Sequence, residues 1–451
     1  METRKIRHNI LLRLVKFIDV FVMTFIFGIG CIRFYAPEML IVQSKGRIIA
    51  FGVIYFVLFT TIGKVYEAFY ISMKRISEII YSQCLTSLVV NGIVFIIIWL
   101  MSQNFPNLLP VLAIFVTQVI FAFIWGKVSH SWYFRKFTAK DSAIVYDCRK
   151  GMDKLIEEYG LRKKYNVKAT YKAEECVKDL SAISGVKTVF LSGVHSHDRN
   201  KILKYCMAND IEVFVIPRVG DVLMSGARPI HMFHLPMLQV KRYDATPEYL
   251  FVKRLMDIIV SLLGLIILSP VMLIVAIAIK AYDHGNVIYS HIRLTKDGKE
   301  FPIYKFRSMR TDAEKDGVAR LSTGENDSRI TPVGAVIRKL RLDELPQLVN
   351  ILKGDLSLVG PRPERPEIAK QYEVDLPEFA LRLEAKAGLT GYAQVYGKYN
   401  TTPYDKLQMD LMYIAHPSII EDIKIMMATV KILFMPESTE GVEEGQTTAA
   451  N

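Results

Sequence analysis

The chain has 451 residues, 51% of them hydrophobic, with five cysteines and a formal net charge of +12. That length accommodates a membrane region and two soluble domains, and the apolar share makes membrane segments the first thing to seek. The basic balance suits anionic partners such as lipid head groups or nucleotide diphosphates, whereas the absence of zinc-finger spacing and of an RNP-like aromatic motif argues against nucleic acid.

Four apolar stretches come first, near residues 14–34, 48–63, 84–101 and 108–126. Each approaches the roughly 20 residues that cross a bilayer. Arg4, Lys5, Arg7, Arg13 and Lys16 precede the first stretch, and Lys64, Lys74 and Arg75 lie between the second and third. Lys127, Arg135, Lys136 and Lys140 follow the fourth, while the loop at 102–107 carries no charge. The positive-inside rule places both ends of this bundle in the cytoplasm. The first stretch is too long for a cleaved signal peptide. Asp19, near its inner end, is expected to snorkel or to pair between helices.

Residues 141–240 alternate strand patterns (143–146, 167–171, 187–191, 212–216) with helical ones (150–164, 173–183, 197–209). Such alternation predicts a parallel, Rossmann-like sheet. The turn after the first strand reads Tyr146-Asp147-Cys148-Arg149-Lys150-Gly151 and lacks Gly-x-Gly-x-x-Gly. NAD is therefore not expected, and a structural, oligomerising or regulatory role is. Cys31, Cys84, Cys148, Cys176 and Cys206 are scattered and form no Cys-x-x-Cys pair, as reduced thiols would be. His195 with His197, and His231 with His234, lack a Cys, His or carboxylate cluster at ligand spacing, so no metal is expected at them.

A fifth apolar segment, 255–279, has Lys253 and Arg254 before it, Lys280 after it and Ser269-Pro270 in its middle. As a straight helix it would reach roughly 37 Å, enough to span. Proline removes a backbone donor, Ser269 can bond the freed groups, and positive charge on both flanks keeps both ends on one face. The expectation is a broken helix that dips into the inner leaflet and returns. Two strands then follow, 287–294 and 301–309, around the turn Lys296-Asp297-Gly298-Lys299. The second alternates apolar and basic residues, including Lys305 and Arg307.

Residues 338–363 are the most informative. Asp343 and Glu344 stand just after two arginines, and Leu345, Leu348, Val349 and Leu352 recur at helical spacing until Gly354. Asp343 is predicted to be the N-cap, with Pro346 in the first turn. Arg362 follows in a rigid Gly-Pro-Arg-Pro turn. Carboxylates at a helix start facing fixed arginines suit metal-assisted phosphate chemistry; the plainer alternative is a capped helix with surface ion pairs.

The wider set includes Ser328-Arg329-Ile330-Thr331-Pro332-Val333-Gly334, Leu342-Asp343-Glu344-Leu345-Pro346-Gln347-Leu348, Gly360-Pro361-Arg362-Pro363, Ala387-Gly388-Leu389-Thr390-Gly391-Tyr392-Ala393-Gln394-Val395 and Asp422-Ile423-Lys424-Ile425. In this order it closely resembles the bacterial sugar transferases, the monotopic polyprenyl-phosphate phosphoglycosyl transferases that begin capsule, exopolysaccharide and O-antigen assembly. The resemblance is dense after residue 250 and loose before it, in the manner of the family's long form. It implies a membrane protein of α plus α/β class. Residues 1–140 would form a four-span bundle and 141–240 a degenerate Rossmann-like (CoA-binding-like) domain. Residues 241–436 would form the α+β catalytic domain with the re-entrant helix 255–279, and 437–451 a polar tail.

The resemblance further implies transfer of a sugar-1-phosphate from a UDP-sugar to undecaprenyl phosphate, with release of UMP. Asp343 maps to the family nucleophile and Glu344 to the Mg²⁺ ligand; Arg338 and Arg362 map to phosphate-binding arginines, and Lys305 and Arg307 are further candidates for phosphate. Ser269 and Pro270 match the re-entrant break, and Asp257 the acidic residue near the start of that helix. Membrane lipid is an implied partner, and a homo-oligomer such as a dimer is compatible with it. His291, Thr295 and Lys398 depart from the family pattern. Two other readings are a non-catalytic membrane regulator or scaffold and a conventional nucleotide-sugar glycosyltransferase.

Overall fold

The computed structural model describes residues 2–37, 45–102, 104–242, 245–311, 313, 327, 329–397 and 401–433; the expected polar tail and Lys398 fall outside them. The chain divides into two compact units, Met1–Ile216 and Pro217–Asn451.

The first unit begins with helices α1 (Glu2–Gly30), α2 (Lys45–Val65), α3 (Ile76–Met101) and α4 (Leu108–Lys136). α1 packs on α2 and α4, and α3 packs on the same two, so the four close into a bundle. α3 and α4 are long and apolar enough to cross a membrane, and a shorter apolar stretch, Ile49–Val65, lies within α2. Polar groups inside the bundle bond to one another. Asp19 accepts from Gln83 at 2.7 Å, the interhelical pairing expected of it. Asn91, Gln118 and Tyr55 form a ring of hydrogen bonds of 2.8–3.0 Å. In hydrocarbon such bonds contribute about 0.6 kcal/mol each and fix helix register.

A parallel sheet follows, with strand order β2-β1-β3-β4. Its strands are β1 (Lys140–Tyr146), β2 (Tyr165–Lys172), β3 (Thr188–Ser192) and β4 (Glu212–Ile216). Helix α5 (Met152–Glu158) covers one face; α6 (Ala173–Lys178) and α7 (Ser196–Ala208) cover the other. Every residue of β3 is buried, as a strand covered on both faces requires. The basic loop between α2 and α3 touches this domain: Arg75 donates to the Glu158 carbonyl, and Lys164 to Ser72 at 3.3 Å.

The second unit starts with α8 (Val219–Ser225) and an exposed antiparallel hairpin, β5 (Arg228–Met232) with β6 (Leu235–Gln239). Sequence alone groups residues 217–240 with the sheet domain; in the structure they pack with the second unit, α8 lying on α14 (Pro403–Ala415). The 37-residue helix α9 (Pro247–Asp283) comes next, then the hairpin β7 (Ile288–Leu294) and β8 (Glu300–Phe306). α10 (Pro332–Lys339), α11 (Gln347–Lys353), β9 (Ser357–Val359), α12 (Pro366–Asp375), β10 (Gly388–Thr390), α13 (Tyr392–Tyr396), α14 and α15 (Ile419–Leu433) complete it. Ile351, Leu356, Val359, Phe379, Leu407, Leu411 and Ile425 are the centre of its core.

α9 stays helical through Pro270, so the expected break is not a departure from helical backbone. Pro270 leaves the carbonyl of Ile266 without its i→i−4 donor, and the Ser269 hydroxyl donates to that same carbonyl at 2.8 Å. α9 is buried near its two ends, at Tyr249, Lys253, Asp257 and Ser261 and again at Val275 and Ile279, with no buried residue from 262 to 274. That stretch carries Ile266, Ile267, Leu273 and Ile274, each more than 60% exposed.

Candidate active site

Two apolar anchors seat the paired carboxylates. α10 ends at Lys339 with Leu340 as its C-cap, Arg341 takes a left-handed conformation (φ 53°), and the chain makes a 3₁₀ turn at Leu342–Glu344 before α11. Asp343 therefore lies inside this turn and is not the N-cap of α11; Pro346 occupies that position. Leu342 and Leu345 pack against Val275, Ile279, Phe306 and Ile337, while Leu348 and Ile351 enter the main core. Each buried side chain of this kind stabilises by about 1.5–3 kcal/mol, so the turn is fixed from both sides. α11 stops where expected, at Gly354 with φ 93°.

Asn350, fully buried, clips α11 to β8. Its side chain accepts from Tyr304 N at 3.0 Å and donates to the Pro302 carbonyl at 2.7 Å. This clip brings Lys305 to Glu344, with Nζ 2.8 Å from Oε1. Arg362 reaches the same oxygen through Nη2 at 3.0 Å. The backbone of the Arg362 turn is held from outside: Arg382 donates to the Arg362 carbonyl at 2.8 Å and Arg293 to the Pro363 carbonyl at 2.9 Å. Arg382 is in turn held by Asp410 through Nε at 2.9 Å and Nη2 at 2.7 Å. Gly360 sits so close to residues 386–388 that a Cβ on it would lie 2.2 Å from the Lys386 carbonyl oxygen. A Cβ on Gly388 would lie 2.1 Å from Gly360 N, so these two segments meet backbone to backbone.

Residues 248–436 match the family described as "Bacterial sugar transferase". An exopolysaccharide production protein, PSS, of Rhizobium leguminosarum bv. phaseoli is 40% identical over 190 residues, which are 40% of this chain and 94% of that protein. The chain belongs to the bacterial sugar transferases. A UDP-N-acetylgalactosamine-undecaprenyl-phosphate N-acetylgalactosaminephosphotransferase of Aeromonas hydrophila is 36% identical over 236 residues, 52% of this chain and 55% of that one. A UDP-glucose:undecaprenyl-phosphate glucose-1-phosphate transferase of Klebsiella pneumoniae is 42% identical over 226 residues, 49% of this chain and 46% of that one. The chain thus spans about half the length of these last two relatives.

The chain gathers Asp343, Glu344, Lys305 and Arg362, with Arg338 acting on Asp343 through its charge. Burial and the neighbouring Glu344 push the Asp343 carboxyl above the ordinary carboxylate range, against the pull of Lys305, Arg338 and Arg362. Burial would also raise Glu344, but Lys305 and Arg362 outweigh it and hold Glu344 far below that range. Arg307 is engaged elsewhere: it forks onto the Asp283 carboxylate, Nη1 to Oδ2 at 2.6 Å, and donates to the Asn286 carbonyl at 2.6 Å. Asp257 is not at the dyad either. It accepts from Leu358 N at 2.9 Å and Ser357 Oγ at 3.1 Å, tying α9 to β9.

Sequence reasoning misses Arg293, Glu364, Arg382 and Asp410, whose network holds the Arg362 turn; ordinary charged residues 18 or more positions apart give no spacing signal. His291, singled out only as a departure, accepts from Arg293 Nε at 2.7 Å. Burial and the cations Arg293, Arg365, Lys305 and Arg362 press its pKa down to about 2, so the ring is neutral.

Proposed function

We propose that the enzyme transfers a sugar-1-phosphate from a UDP-sugar to undecaprenyl phosphate, releasing UMP, through a phospho-sugar carried on Asp343. The carrying observation is the convergence of Lys305 and Arg362 on Glu344 beside the half-buried Asp343. An Asp343 carboxylate oxygen attacks the sugar-bearing phosphorus, and the bond to the bridging oxygen breaks with UMP leaving. A phosphate oxygen of the polyprenyl acceptor then attacks that phosphorus, giving the polyprenyl diphospho-sugar and restoring the carboxylate. The raised pKa makes Asp343 more basic and so a better nucleophile, while Lys305, Arg338 and Arg362 favour its ionised form. The cations also suit the diphosphate, where the guanidinium fork of Arg362 bonds two oxygens at once.

The donor set fits Mg²⁺. Both cations converge on Glu344 Oε1, leaving Oε2 outside those contacts, and hard oxygen donors beside a diphosphate are what this ion takes. Bound there through Glu344, it would neutralise charge on the diphosphate.

For the membrane, we read α9 as entering and leaving by one face. Near its start, Arg254 donates to the Ile351 and Leu352 carbonyls at 2.6 and 2.8 Å, and Lys253 pairs with Asp422 at 3.0 Å. Near its end, Val275 and Ile279 pack on Phe306 and Ile337 of the same unit. Both ends of a bilayer-crossing helix could not rest on one soluble domain. With the bundle ends in the cytoplasm, the reading is a multi-pass protein of the bacterial plasma membrane whose catalytic domain faces the cytoplasm. The product would be the first lipid-linked intermediate of an exopolysaccharide, capsule or O-antigen.

The test is a panel of UDP-sugars with purified enzyme, reading UMP release and trapping labelled phospho-sugar. Label should sit on Asp343 and vanish in Asp343→Asn, which should turn over at background. Label on another residue, or turnover by the Asn variant, would overturn the assignment. A single cysteine at Lys280 should react with an impermeant thiol reagent only after cells are permeabilised; reaction in intact cells would mean a full crossing.

A further inference from the structure

The parallel sheet carries a side-chain cluster that sugar transfer does not use. Asp147 and Cys148 stand in the loop after β1, and His195 in the loop after β3. In the order β2-β1-β3-β4 these are the two strands between which the connections diverge, the place where open parallel sheets hold ligands. One Asp147 carboxylate oxygen, the Cys148 sulfur and one His195 ring nitrogen all lie within 4.8 Å of one another. His195 Nδ1 meets Asp147 Oδ2 directly. Separation along the chain hides this cluster from sequence spacing, and the expectation of no companion ligands at His195 is corrected here.

The backbone beneath the cluster is fixed while its side chains reach outward. Asp147 N donates to the Ser192 carbonyl at 3.2 Å. Gly193, with φ +66°, sits so near the other loop that a Cβ would be 3.2 Å from Arg149 N. The His195 and Asp147 side chains are 55% and 35% exposed, and Cys148 is exposed.

We propose that Asp147, Cys148 and His195 bind a divalent cation of the zinc class. The donors are one sulfur, one imidazole nitrogen and one carboxylate oxygen, a set that suits zinc; magnesium and calcium take oxygen alone. Tetrahedral zinc holds such donors about 3.3–3.8 Å apart, from bond lengths of about 2.0–2.3 Å, so the trio needs only a small rearrangement. The ion would insert between the His195 ring and the Asp147 carboxylate, and Cys148 would bind as thiolate with loss of its proton. Three protein ligands leave a fourth position for water or for an anionic ligand entering the crevice. A domain without the Gly-rich phosphate turn would then have a metal where a dinucleotide fold has its pyrophosphate site.

The experiment strips the purified full chain with a chelator and titrates it with ZnSO₄ alone against a zinc indicator dye. One zinc per chain is expected, with X-ray absorption giving one sulfur neighbour at about 2.3 Å. Co²⁺ in its place should give a sulfur-to-metal charge-transfer band. Cys148→Ser and His195→Ala should each weaken zinc by at least about tenfold and Cys148→Ser should remove the band, while His197→Ala should leave both unchanged. No stoichiometric zinc in the wild type, a metal shell without sulfur, or wild-type affinity in both variants would overturn the site and reduce the cluster to an Asp–His surface pair. Metal is read here, not sugar transfer, so the result stands apart from the fate of the transferase assignment.

Discussion

The sheet domain and the catalytic unit handle charge in opposite ways. In the sheet, the buried polar residues are the hydroxyls Ser142, Thr188 and Ser192, and the ion pairs Lys140–Glu212, Arg162–Glu157 and Lys168–Asp141 stand in solvent. The catalytic unit buries Lys253, Asp257, Arg382, Glu384, Asp410 and Asp422. The sheet domain is held by apolar layers on both faces of its strands. The second unit instead places charge out of solvent, and each desolvated charge then requires a partner in one geometry.

Substitutions in both regions test this contrast. The largest effect should come at the dyad. Glu344→Gln removes the anion on which Lys305 and Arg362 converge, and UMP release should fall by about a thousandfold, roughly 4 kcal/mol in the barrier. EDTA should silence the wild type and Mg²⁺ restore it; an enzyme indifferent to chelation would remove the metal from the scheme.

Next comes the buried pair. Arg382→Met leaves Asp410 uncompensated and should cost about 3–5 kcal/mol in an unfolding titration, with Asp410→Leu added recovering part. Lys140→Ala in the sheet should cost no more than about 1 kcal/mol, because its pair with Glu212 is solvated. Equal losses in the two regions would dissolve the contrast. Arg362→Lys keeps charge but loses the fork, and kcat/KM should drop about 10- to 100-fold, about 1.4–2.7 kcal/mol.

The smallest effect is a pH dependence. Burial would raise Glu364, but Arg382, Arg293 and Lys406 hold it below its ordinary value. Its contribution to stability is therefore present above the unfolded pKa of about 4.3 and lost as pH falls through the lower folded value. Glu364→Gln should flatten the acid side of the unfolding midpoint; an unchanged slope would mean that these cations do not act on it.

Much of this architecture is legible in the sequence because its signals are local. The four parallel strands fall where β-branched runs alternate with helical patterns, and Gly354 ends α11 at the one residue free to take φ 93°. The Asp343 turn is less so. Leucine spacing argues for one helix from Asp343 onward, but Arg341 in left-handed geometry and Leu342 drawn into the α9 contact give a 3₁₀ turn first. Arg307 reads as a second phosphate ligand because it shares a strand pattern with Lys305, yet Asp283, 24 positions earlier, takes it. The Lys253–Asp422 pair is 169 positions apart, and the Asp147–His195 contact 48. Charge partners brought together by topology leave no period to read.

The backbone contact between Gly360 and Gly388 bears on how far this enzyme can be re-engineered. With carbonyl and amide already touching where a first side-chain carbon would go, neither position tolerates any alternative residue, and the turn carrying Arg362 has no slack to be retuned. A library aimed at the Arg362 turn wastes its diversity there. Substitution is freer at His291 on β7, whose ring meets the Arg293 side chain, whereas Thr295 is held by main chain on both sides, at the Asp355 carbonyl and the Ala387 amide.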